Sequence, residues 1–315
     1  MTRPNVFILG APKCGTTSLA AWLSEHPEAF VSDPKEPRYF NTDWAFPFRV
    51  RDADAYEALF AGAQGQRAVA EATTGNLVSE VAVPAILEYQ PEARFVVCLR
   101  DPVELFFSLH GQRLKEGNEN LADPALAWEA QAKRLQGRGV PRGVADPKSL
   151  HYDRFCRLGT QMQRLYERLP RERVHLVLLE DMRQAPDATF RALCRFLEIE
   201  ERSLPNYAPE NTLRLPRSLW LQRVVRLGGL VKKRIGLPSM GIATRIRDAN
   251  LSGAQQVDDP ALRARLTDHF AEEVALLERM IGRDLSHWPH PSTGPALAAP
   301  SGDFYRIRSA EEPRG

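Results

Sequence analysis

A single α/β domain, with a parallel sheet flanked by helices on both faces, is the fold this sequence predicts. Three observations lead there. Short unbroken apolar runs recur at residues 6–9, 95–99 and 176–179, the pattern of strands buried on both faces. Helical apolar spacing fills the stretches between them. The first run is followed at once by a turn of small residues and then by a helix-forming segment, the order strand, turn, helix.

The elements follow in chain order. Val6, Phe7, Ile8 and Leu9 make the first strand, ended by Gly10. Gly15, Thr16 and Thr17 form the turn, and residues 18–23 begin a helix. Phe30 and Val31 form a short strand, and residues 68–70 a weaker one. Residues 94–99 are a buried strand broken by Arg100, Asp101 and Pro102, with Pro102 placed to open a helix over 103–114. Residues 174–179 are another strand, and helices are expected over 155–169 and 188–197. Leu262, Leu266, Phe270, Val274, Leu277 and Ile281 recur every three or four residues, a helix closed by Gly282. Residues 1–288 read as one domain. Residues 289–315, rich in Pro, Ser, Gly and Ala, read as a loose tail.

Composition limits the function classes. At 315 residues the chain can bury a core, and 43% hydrophobic with 26% charged residues argues for a folded protein. The 42 basic and 40 acidic side chains nearly balance, so there is no general case for nucleic-acid binding. Cys14, Cys98, Cys156 and Cys194 form no C-x-x-C pair, which points to reduced thiols and no metal site. No apolar leader and no run of the ~20 apolar residues a membrane span needs is read in the sequence, and the expected setting is the cytoplasm.

The chemistry-bearing segment is Pro12-Lys13-Cys14-Gly15-Thr16-Thr17-Ser18. A small-residue turn between a buried strand and a helix leaves backbone N–H groups aimed at whatever lies at the helix N-terminus, where the helix dipole is positive. Lys13 adds a full charge and Thr16, Thr17 and Ser18 add hydroxyls. A bland βα turn with a surface lysine is the competing reading. The order differs from the G-x-x-x-x-G-K-[ST] triphosphatase loop, because the lysine precedes Gly15. Asp101 and Asp181 make poor metal-binding aspartates, being flanked by Arg100 and Pro102 and by Glu180. A magnesium-dependent small-molecule kinase is thereby disfavoured, and a non-catalytic nucleotide-binding protein stays open.

Residues 7–19 resemble the 5′-phosphosulfate loop of sulfotransferases that use 3′-phosphoadenosine-5′-phosphosulfate (PAPS), nearest the heparan-type and bacterial carbohydrate branch. Arg100 and Ser108, eight residues apart after a strand, resemble that family's 3′-phosphate pair. Lys35-Glu36-Pro37, residues 176–182 and the closing Gly282-Arg283-Asp284-Leu285-Ser286-His287-Trp288 resemble further family segments. Two departures concern acceptor contacts: Ala72 follows Glu71 where a basic residue is common, and Leu105-Phe106 stand where an arginine is common.

The resemblance implies a P-loop-type sheet, PAPS as co-substrate and no metal. It implies Lys13 on the bridging oxygen of the leaving phosphate, the residues from Lys13 and Cys14 through Ser18 on the 5′-phosphate, and Glu36 as the base. His110 and Glu71 are alternative bases, and Glu71 could instead orient Lys13; a carboxylate merely paired with Lys35 or Arg38 is the bland reading of Glu36. Between Asn211 and Arg247 the sequence has nine basic and no acidic residues, so Arg214 and Arg217 are candidates for cofactor contact. The same stretch is a candidate lid or contact with an anionic membrane surface, or simply a solvated face. Residues 44–56 and 115–152 are the expected acceptor loops, the latter mobile. The acceptor itself is left open among sugars, glycolipids and small molecules carrying a hydroxyl or amine.

Overall fold

The structure is a computed structural model that describes residues 2–46, 48–207, 215–216, 251–252 and 259–288. The tail and the basic stretch that contains Arg214 and Arg217 lie outside these residues, apart from Leu215–Pro216 and Leu251–Ser252, which pair as a two-residue antiparallel ladder.

Five strands form a wholly parallel sheet: β1 (Val6–Gly10), β2 (Ala29–Val31), β3 (Ala68–Ala72), β4 (Arg94–Leu99) and β5 (Val174–Leu178), in the order β2-β3-β1-β4-β5. Every residue of β1 and β3 is buried, as is all of β4 beyond Arg94. That burial is why their sequences run apolar without alternation. Phe7 is fully buried between Phe40 and Phe95, so truncating it to alanine should cost ~3–5 kcal/mol.

Helices connect the strands: α1 (Thr16–Ser24), α2 (Ala53–Ala58), α3 (Ala82–Tyr89), α4 (Pro102–Lys115), α5 (Pro124–Glu129), α6 (Gln131–Leu135), α7 (Tyr152–Cys156), α8 (Leu158–Tyr166), α9 (Leu179–Gln184), α10 (Pro186–Leu197) and α11 (Pro260–Ile281). The chain turns from β1 outward to β2, returns to β3, then crosses to β4. The sheet therefore has its switch point at β1, and the crevice beyond the strand ends there is where α/β sheets take ligands.

Helix α4 starts where the Pro102 signal places it. Asp101 caps it, accepting from the N–H groups of Val103 at 2.6 Å and Glu104 at 3.1 Å. Helix α11 is capped by Asp259 and ends at Gly282, whose φ of 65° suits glycine. It packs on α8 and α4 and buries Leu262, Leu266, Phe270 and Leu277. The single helix expected over 155–169 is instead α7 and α8, broken at Arg157. The segment 115–152, expected as a loop, carries α5 and α6 and a fully buried ion pair in which Arg134 donates both Nη groups to Glu119 at 2.6 Å. No described helix is long and apolar enough to cross a membrane.

Candidate active site

A cleft of about 800 Å³ opens beyond the carboxyl ends of β1, β3 and β4. Its floor is the turn after β1. Gly15 precedes α1 with φ 88°, and no side chain caps that helix. The first helical bond shown runs from Leu19 N–H to Gly15 O at 3.0 Å, so the amides of Thr16 and Thr17 have no acceptor within the helix. Gly15 is fixed by space as well as by φ: an added Cβ would lie 2.8 Å from Met182 Sδ. Lys13, Gly15, Thr16, Thr17 and Ser18 all line the cleft. Cys14 does not. Its thiol is fully buried, and burial pushes its pKa up to about 12, so this residue contributes backbone only.

Lys13 also has a left-handed φ, 65°. Among the described residues four non-glycines do so, and three of them, Lys13, Glu36 and Arg38, line this cleft. Such conformations cost ~1–3 kcal/mol each and gather where function fixes the backbone. Burial, with Lys115 and Arg100 nearby, holds the Lys13 pKa below its usual value. Its Nζ donates to Gln112 Oε1 at 3.4 Å; Gln112 in turn donates to Glu116, which accepts from Arg113 at 2.9 Å.

One wall of the cleft is cationic. Arg100 donates to the Lys13 carbonyl at 3.4 Å and to Glu104 at 3.0 Å. Ser108 lies one turn beyond Glu104 on α4 and faces the cleft. Arg183 from α9 and Arg263 from α11 line it too. Trp22 and Tyr207, edge to face at 5.0 Å, supply an apolar surface beside the cradle.

Glu36 stands at the carboxyl end of β3, where its N–H donates to Ala72 O at 3.0 Å. Its carboxylate accepts from Arg38 at 2.7 Å and from Thr74 Oγ1 at 2.9 Å, and lies 3.6 Å from Lys35 Nζ. Burial raises its pKa, but the Lys35 and Arg38 charges and the two hydrogen bonds outweigh that and hold it below the ordinary carboxylate value. The pairing with Lys35 and Arg38 is real, yet the carboxylate is three-quarters buried and lines the cleft, unlike a solvated surface glutamate. Beyond it Arg38 covers the Phe46 ring, Phe46 stacks on Trp44, and Trp44 meets Phe155 at 5.3 Å.

Two expectations need correction. His110 is buried off the cleft, stacked on Phe106, with Nε2 2.9 Å from the Leu121 carbonyl. Burial lowers its pKa, and it does not line the cleft. Glu71 neither lines the cleft nor orients Lys13: it is fully buried and accepts from Tyr56 at 3.0 Å and Asn76 at 3.4 Å. Asp101 and Asp181 are likewise engaged, as the α4 cap and as the partner of Arg283.

The sequence reading missed Gln112, Glu104, Arg183 and Arg263. A signal existed for two of them. Glu104, Ser108 and Gln112 repeat every four residues on α4 and so share one helix face with the recognised serine. Arg183 and Arg263 come from distant helices and carry no local mark.

Comparisons with known sequences and structures show the family of the chain. The family model described as "Sulfotransferase domain" matches residues 3–228, and the chain belongs to that family. The sulfotransferase of Alicyclobacillus acidocaldarius has a similar structure, with TM-score 0.71 and 25% identity over 92% of this chain and 100% of that one. The membrane-associated sulfotransferase kil1 of Dictyostelium discoideum is 28% identical over 38% of this chain and 25% of its own length. Carbohydrate sulfotransferase 15 of Rattus norvegicus is 29% identical over 33% of this chain and 26% of its own length. The match thus spans about a quarter of these curated relatives.

Proposed function

We propose that this chain transfers the sulfuryl group of PAPS to a hydroxyl or amine of a sugar, glycolipid or small molecule, releasing 3′-phosphoadenosine-5′-phosphate. The observation that carries the reading is one cleft holding an uncapped helix N-terminus, a buried lysine, a cationic wall and an ionised carboxylate. The donor brings an activated sulfuryl group on a 5′-phosphate and a second phosphate on the ribose. The α1 amides and the hydroxyls of Thr16, Thr17 and Ser18 suit the first phosphate. Arg100 and Ser108 suit the second.

In the transfer, a bond forms from the acceptor oxygen or nitrogen to sulfur while the bond from sulfur to the 5′-phosphate oxygen breaks. Lys13 stabilises the negative charge that grows on that oxygen, in a site already partly shielded from water. Glu36 takes the acceptor proton; its ion pairs keep it deprotonated, the form a base needs. A sugar acceptor draws support from the carbohydrate-sulfotransferase relatives and from the Phe46, Trp44 and Phe155 rings beside Glu36, whose faces suit the C–H side of a sugar. Cytoplasmic residence is part of the proposal; four unpaired cysteines fit a reducing compartment.

The test is incubation of the protein with PAPS and cell extract, followed by mass spectrometry. Products carrying an added sulfuryl mass, absent with Lys13→Ala, are expected. Cofactor binding with no sulfated product across sugar, lipid and small-molecule acceptors would leave a non-catalytic nucleotide-binding protein.

A further inference from the structure

Helix α4 ends on a carboxylate. Glu116 is its C-terminal cap, and the Glu116 N–H donates to the Gln112 carbonyl at 2.9 Å. An anion is unfavourable there, because the C-terminus of a helix carries partial negative charge. Three side chains hold it in place. Oε2 accepts from Arg113 at 2.9 Å and from Asn118 at 2.7 Å, and Oε1 accepts from Gln112 Nε2 at 2.8 Å. Burial raises the Glu116 pKa, but the Arg113 charge and these hydrogen bonds outweigh that and hold it below the ordinary carboxylate value. Arg113 is itself fixed, donating from Nε to the Ser149 carbonyl at 3.1 Å.

An ionised carboxylate only accepts, so its contact with Gln112 sets which way that amide points. The amide NH2 faces Glu116, and the amide oxygen is left for Lys13, whose Nζ donates to it at 3.4 Å. Burial and the Lys115 and Arg100 charges work against a protonated Lys13, and the Glu116 charge works for it. The amide between them matters. A carboxylate directly on the ammonium would make a charge-assisted bond, roughly twice as strong as a neutral one, and would compete with any oxygen on which charge grows. An amide oxygen orients the ammonium and leaves its charge available.

We propose that Gln112 is a positioning residue for Lys13, and that Glu116 acts through it by fixing the amide so that its oxygen holds the ammonium in one orientation for the transfer. The proposal rests on the reading above, in which Lys13 meets the oxygen that leaves sulfur, and it adds the end of α4 to that step.

The experiment compares Gln112→Met, Glu116→Gln and the double variant in the full chain. Turnover is read as release of 3′-phosphoadenosine-5′-phosphate from saturating PAPS, with cell extract as the acceptor pool and Lys13→Ala as the background. Each single variant should lower turnover ~10-fold, within the ~100-fold that a ~1 Å misplacement of a reacting group can cost. The double variant should fall no further than Gln112→Met, because one residue acts through the other. Affinity for 3′-phosphoadenosine-5′-phosphate, measured by calorimetry, should stay within about twofold in all three, a split that a general loosening of the site does not give. Lys13 supplies a reading of its own. Without the Gln112 oxygen its charged form loses a hydrogen bond, so in nucleotide-free Gln112→Met acetic anhydride should acetylate Lys13 severalfold faster relative to the other lysines. Glu116→Asp, one methylene short of Gln112, takes the place of Glu116→Gln if that variant fails to fold. Unchanged turnover or unchanged Lys13 acetylation in Gln112→Met overturns the proposal alone. So does nucleotide affinity that falls with turnover, or a double variant whose loss is the product of the single losses. Wild-type protein that turns over no faster than Lys13→Ala overturns the transfer reading and this proposal with it.

Discussion

On the proposed donor side of the cleft, position is set by backbone: Gly15 at φ 88°, the free end of α1 and Arg100 at the end of β4 are each fixed by a strand or helix a few residues away. On the proposed acceptor side, position is set by side-chain pairs, some local and some between distant segments. Glu36 is held by Arg38 and Thr74, and Trp44 is held against Phe155, more than a hundred residues on. The segment 115–152 is pinned by Arg134, Glu119 and Tyr152. The difference teaches that the proposed donor site is built into the fold's skeleton, whereas the proposed acceptor surface depends on pairs that can change without disturbing the sheet.

Removing a donor-side charge should have the largest effect. Lys13→Ala should lower kcat ~10³-fold in a PAPS transfer assay, about the cost of one lost charge-stabilising donor, with little change in melting temperature. Next, Arg134→Met leaves the Glu119 carboxylate buried without its partner and should cost at least ~3 kcal/mol in urea unfolding. Its folded fraction should still bind 3′-phosphoadenosine-5′-phosphate normally. A matching loss of nucleotide affinity would break the separation of the two sides.

Glu36→Gln should lower kcat ~10²-fold while nucleotide affinity stays within about twofold. Normal turnover in that variant removes Glu36 as the base.

The smallest expected effect concerns Glu71. Desolvation raises its pKa to about 7 in the fold, against hydrogen bonds from Thr73, Tyr56 and Asn76 that lower it and a Glu36 charge that raises it further. From the unfolded value near 4.5 up to about 7, the folded state keeps a proton that the unfolded state has lost. Stability should therefore fall as pH rises through that window and be flat above it. Glu71→Gln should remove the slope and raise stability at pH 8, with no gain near pH 4.5. Thermal melts across that range check it.

The same contrast explains what the sequence made legible. β1, β4, β5, α4 and α11 carry local signals: apolar runs, Pro102, Gly282. The cradle residues are contiguous, so their spacing announced them. Glu36 came only with the family resemblance. His110 misled because its place near Ser108 in sequence says nothing of which helix face it takes, and Phe106 and Tyr152 claim its ring. Gln112, which meets Lys13 across 99 residues of chain, could be found only once the fold brought α4 over the β1 turn. The break at Arg157 was equally hidden, because Arg157 pairs with both Asp153 and Glu273 of α11 and the apolar spacing runs on through it.

The central claim, that the cleft binds a donor with two separate phosphate groups and needs no metal to do so, is tested most directly by thermal unfolding with added nucleotide. 3′-Phosphoadenosine-5′-phosphate in the presence of a chelator should raise the melting temperature, with a stabilisation near 2.7 kcal/mol at about one hundred times its Kd. Stabilisation by magnesium-ATP alone, with none from the 3′-phosphorylated nucleotide, would contradict the account.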